Sequence, residues 1–108
     1  MAWLMLIVSG ILEAAWALCL KASQGFTRPG PTAGFAILLA LSMLGLSLAL
    51  RTLPVGLAYA VWVGVGATLT AILAAILFGE AWTPLRVAGV ALIVGGVLLL
   101  NLSSARPA

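Results

Sequence analysis

Glu13 lies in GILEAAWA (residues 10–17), a carboxyl group inside an apolar run. Low dielectric disfavours the charged form of such a group unless it is given a counter-charge. It can therefore hold a proton or a cation. At helical spacing Ser9, Gly10, Trp16 and Ala17 share its face, and small residues there let a second helix come close. Trp16 has two readings, ordinary packing or a π wall for a planar or quaternary cation. Ser42 heads a stripe with Gly45 and Ala49. Its hydroxyl can cap a carboxylate or bond back to its own helix. Tyr59, Trp62, Gly66 and Thr70 follow i, i+3, i+7 and i+11, one helix face with two polar aromatics and two small residues. The aromatics read either as a pocket wall or as an interfacial belt, and the belt suits Tyr59 better than Trp62. Gly64 and Gly66 weaken that helix and allow a bend. Ser9, Gly10, Gly64 and Gly66 are thus candidates for shaping or gating a pocket.

The elements that carry these groups follow from composition. The chain has 108 residues, 65% of them hydrophobic and 6% charged, against about a quarter charged in a soluble protein. Its solvent is the bilayer, where each crossing helix needs roughly 20 apolar residues. Four segments qualify, at about 3–20, 32–50, 56–78 and 85–102. They predict one all-α integral membrane domain over residues 1–108 with four transmembrane helices per subunit. The breaks KASQGFTRPGP, RTLPV and GEAWTP carry turn signals, with Pro31, Pro54 and Pro84 where helices begin. The first segment lacks a basic n-region and has Glu in the would-be h-region, so it reads as a retained span. Trp3 and Trp82 fall at segment ends and read as belt residues. Cys19 reads as packing, and Glu80 as a solvated loop acid.

At a rise of about 1.5 Å per residue, Glu13 lies roughly 15 Å beyond Trp3, near the bilayer midplane. A charge there costs about 2.5–3.5 kcal/mol on insertion scales, so intramembrane acids are functional by default. Lys and Arg give no clear orientation: Lys21, Arg28 and Arg86 fall on one side, Arg51 and Arg106 on the other. A fixed orientation with weak bias and insertion both ways are equally compatible with that count. Five scattered basic residues form no nucleic-acid patch. Without His, a metal cluster or a nucleophile–base pair, an enzyme is excluded. The fourth segment carries GVALIVGGV (89–97), and Gly89, Ile93 and Gly96 on one face predict close helix contact, a dimerisation element.

If proton and cation compete for Glu13, and the site opens alternately to each side, proton entry drives cation exit. With no nucleotide-binding motif and no cofactor, the proton gradient is the expected energy source. The expected activity is therefore proton-coupled antiport of a small organic cation.

The chain also resembles the small multidrug resistance (SMR) family of bacterial inner-membrane exporters over essentially its whole length. The resemblance rests on Glu13 in the first span, KASQGFTRPGP after it, LPVGLAYAVWVGVG from residue 53, and GVALIVGGV. It implies a multi-pass, dual-topology antiparallel homodimer in the bacterial inner membrane that exchanges protons for cations. Glu13 of both subunits would share one pocket lined by Tyr59 and Trp62. WLMLIVSGILEAAWALCLK looks most like the guanidinium-exporter branch, which has Trp at the position of Trp16. Ser42 is also similar to that branch, where the hydroxyl bonds the acid. Asn101, in place of a Lys, and Val63, in place of Thr or Ser, depart from it. The resemblance thus implies export of guanidinium and small substituted guanidiniums. The alternatives are a polydrug exporter of quaternary ammonium and other lipophilic cations, with a part in drug resistance, and a non-transporting subunit of a heterodimer.

Overall fold

The computed structural model describes residues 2–104 and holds four helices among them. They are α1 (Ala2–Ala22), α2 (Pro29–Ala49), α3 (Val55–Leu77) and α4 (Pro84–Ser104). Each is long and apolar enough to cross a membrane. Arg106, counted above in the charge balance, lies outside the described residues. Short connections make successive helices antiparallel, so α1 and α3 run parallel. α2 begins at Pro29, ahead of the expected Thr32, because proline is tolerated throughout a helix's first turn, where no backbone partner is required.

α1 is the spine. It packs against both α2 and α3, whereas α2 and α3 meet sparingly and α4 rests on α3 alone. In lipid there is little hydrophobic drive between helices, so small residues decide which faces meet. Gly34 of α2 sits opposite Cys19, where an added Cβ would lie 3.2 Å from the sulfur. Gly45, on the Ser42–Ala49 stripe, sits against Ser9. A core of Leu6, Leu46, Ala49, Ala58, Val61 and Trp62 fills the half of the bundle nearest the α2–α3 turn. Trp3 packs against this core, because its helix starts alongside the α3 N-terminus.

The α1–α2 connection is built around Ser23, which is fully buried. Its hydroxyl donates to the Leu20 carbonyl at 2.7 Å and accepts from the Phe26 N–H at 3.2 Å. Gln24, Gly25 and Phe26 are all left-handed (φ 49, 72 and 68). Only glycine takes that conformation without strain. The Phe26 ring lies 5.6 Å from Phe35 of α2.

Candidate functional site

Parallel packing brings α1 and α3 together rung by rung. On one rung Gly10 faces Val65, and a Cβ on Gly10 would lie 2.8 Å from the Val65 Cβ. On the next rung Glu13 faces Gly66. A Cβ on Gly66 would overlap the Glu13 carboxyl group, so the absence of a side chain at 66 makes room for the acid. Glu13 Oε1 is buried and has no hydrogen-bond partner among the described residues.

Below the acid three polar groups form a chain across three helices. The Ser42 hydroxyl donates to the Ser9 carbonyl at 2.8 Å, and the Trp62 indole N–H donates to the Ser42 hydroxyl at 3.2 Å. The Ser9 hydroxyl bonds back to the Met5 carbonyl at 2.5 Å. Ser9, Ser42 and Trp62 are all buried, so each bond is formed where an unmade one would be costly. Ser42 therefore holds neither its own helix nor Glu13. It serves as a cross-link, because Ser9 lies one turn from the acid on the face that meets α2. Tyr59 packs its ring on Trp62 at 5.8 Å, tilted by 38°, and remains exposed on the other side.

Trp16, one turn beyond Glu13, meets Phe35 of α2 edge to face at 5.7 Å. Its indole N–H is buried and without a partner among the described residues. Sequence spacing did not single out Phe35, since the contact joins two helices and no periodicity within one helix encodes it. Thr68 was missed too. Its hydroxyl is buried and unpartnered among the described residues, on the wall of an apolar groove between α1, α3 and α4 that also includes Ile11 and Val94.

Gly64 and Gly66 serve different partners. Two residues apart on a helix they point nearly opposite ways, and Gly64 faces α4: a Cβ there would lie 2.5 Å from Val97 and 3.5 Å from Ile93. Gly64 thus seats α4 rather than shaping the space beside Glu13, and α3 runs on as one helix from Val55 to Leu77. Ile93 is partly engaged within its own chain. Gly89 and Gly96 have open space where a Cβ would stand, and none of the α4 residues whose burial is described is buried.

Glu80 is not simply solvated. It pairs with Arg86 at 2.8 Å, the one ion pair among the described residues.

The arrangement offers one uncommitted carboxylate oxygen inside an apolar helix bundle, a tryptophan a turn away, and a self-satisfied polar chain holding the three helices around them. Residues 1–93 match the family described as Small Multidrug Resistance protein. A Citrobacter freundii protein named guanidinium exporter is 45% identical over 104 residues, covering 96% of this chain and 99% of its own. Proteins of the same name from Salmonella typhimurium and Escherichia coli (strain K12) are 45% and 44% identical over the same coverage.

Proposed function

Because this multi-pass membrane protein belongs to the small multidrug resistance family, we propose that it is a proton-coupled antiporter that exports guanidinium and small substituted guanidiniums. It works as an antiparallel homodimer in the bacterial cytoplasmic membrane, needs no cofactor, and draws its energy from the proton gradient. The observation that carries this reading is Glu13: a carboxyl group on a membrane-spanning helix, seated against Gly66, with one oxygen that no donor among the described residues satisfies.

A carboxylate binds a planar guanidinium through paired N–H···O bonds, and Trp16 supplies a ring beside it. Proton and cation need the same oxygens, so each displaces the other. The names of the relatives support the substrate class and a transport rather than enzymatic role. Alternating access comes from helix movement around Glu13, with two such carboxyls facing one another across the dimer.

One observation favours a broader substrate range. Ser42 donates to Ser9 and not to Glu13, so among the described residues its hydroxyl does not fix the angle of the carboxylate. A loosely held carboxylate with an aromatic residue one turn away also suits a quaternary ammonium, which has no donors to align.

Purified protein in liposomes, studied by electrical recording with guanidinium and then with a tetraalkylammonium, tests the reading. Guanidinium gives a current that depends on an imposed pH difference, and Glu13→Gln abolishes it while the protein remains folded. Binding weakens as pH falls, since protonation of Glu13 removes the charge that attracts the cation. Unchanged exchange in Glu13→Gln would falsify the antiport mechanism. Comparable tetraalkylammonium currents would assign the broader range.

A further inference from the structure

The loop between α3 and α4 holds a second carboxylate–tryptophan pair, and this one is filled. Arg86 Nη2 donates to Glu80 Oε1 at 2.8 Å and to the Ala71 carbonyl at 2.9 Å. Nη1 donates to the Ala81 carbonyl at 3.3 Å. The guanidinium carbon stands 4.9 Å from the centre of the Trp82 ring. We propose that Glu80, Trp82 and the carbonyls of Ala71 and Ala81 form a guanidinium-binding cradle, occupied in cis by Arg86, which clamps α4 to α3.

The placement of Arg86 needs such a cradle. It is the third residue of α4, where the helix dipole disfavours a cation. Thr83 caps this turn, accepting the Arg86 N–H at 3.1 Å, so the backbone of Arg86 is fixed and its side chain is free to turn back. Gly79, left-handed at φ 68, reverses the chain just past α3 and sets Glu80 in position. Ala71 lies well inside α3 (Val55–Leu77), so the arginine reaches past the end of that helix and along its flank. α4 packs on α3 alone, and the cradle is a polar link between them.

The shape of the site selects the group. Two carbonyls and a carboxylate accept from a planar fork while the ring covers a face. A compact ammonium cannot do both at once. Trp82 thus has a partner beyond the belt role that its position suggests. Tethering gives Arg86 a large advantage over any free cation, so the wild-type cradle stays closed to substrate.

The test uses detergent-purified protein carrying Glu13→Gln, so that cation binding at the proposed transport site does not contribute. In that background Arg86→Ala melts several degrees lower. Millimolar guanidinium restores most of the loss, whereas methylammonium and sodium at the same concentration do not. Arg86→Lys melts close to Arg86→Ala, and Arg86→Ala with Glu80→Gln is not restored by guanidinium. Equal melting of Arg86→Ala and its parent, or equal rescue by all three cations, overturns the proposal. If Arg86→Ala does not survive purification, Trp82→Ala and Glu80→Gln are compared with Arg86 in place. Each lowers melting and the two losses together are less than additive, because both act on one guanidinium. Full additivity overturns the cradle. Since the readout is melting without Glu13, failure here leaves the transport reading intact.

Discussion

The Trp62 indole donates to Ser42 at 3.2 Å, and this bond joins α3 to α2 where those two helices otherwise meet sparingly. Ser42→Ala leaves a buried N–H without an acceptor, at a cost of about 1–3 kcal/mol. Trp62→Phe in the Ser42→Ala background costs less than in the native background, because the orphaned donor goes with it. Unfolding of the four proteins in detergent measures the coupling. Equal costs of Trp62→Phe in both backgrounds would show that the bond contributes nothing.

Two glycines on adjacent rungs of the α1–α3 contact separate packing from function. Gly10→Ala sets a Cβ against the Val65 Cβ, a stiff neighbour close to its backbone, and overpacking of this kind costs about 1–3 kcal/mol. Gly66→Ala instead meets the far end of the Glu13 side chain, which can swing aside. Gly66→Ala therefore melts near the native value while cation affinity falls by about tenfold or more, which is about 1.4 kcal/mol at the site. Melting curves and equilibrium cation binding on both variants give the comparison. A reversal, with Gly66→Ala the less stable of the two, would contradict the assignment.

Trp16 combines an edge-to-face contact with Phe35 and an N–H that no acceptor among the described residues meets. Trp16→Phe keeps a ring and removes the unsatisfied donor, so stability holds or rises and guanidinium exchange persists. Trp16→Gly opens the space beside Glu13 and shifts the ratio of currents toward tetraalkylammonium. Loss of guanidinium exchange in Trp16→Phe would show that the indole N–H, rather than the ring, carries the role.

Much of the site was legible in the sequence because helical spacing is a local property. The Glu13 face, the Ser42 stripe and the Tyr59–Trp62 pair all followed from counting residues, and all lie on apolar helices long enough to span. What spacing could not give was the partner across a helix contact. That Ser42 bonds Ser9, that Gly66 faces Glu13 while Gly64 faces Val97, and that Phe35 meets Trp16 depend on the rotation of one helix against another. Glu80 looked solvated because its partner, Arg86, lies across a turn whose direction is set by the left-handed Gly79. The polar loop residues declare a turn but not which charges it folds together.

The Ser9–Ser42–Trp62 chain has a kinetic consequence. Its hydrogen bonds close among themselves and include no atom of the Glu13 side chain. In the proposed exchange, a cation or proton leaving Glu13 breaks none of them, and none must re-form before the next arrives. Under the proposed antiport, release from Glu13 is therefore limited by the walls around the carboxyl group and not by re-forming this chain, which keeps α1, α2 and α3 together throughout. Cohesion of the three helices and release at the acid are thereby assigned to different side chains, and substitutions can alter one without disturbing the other.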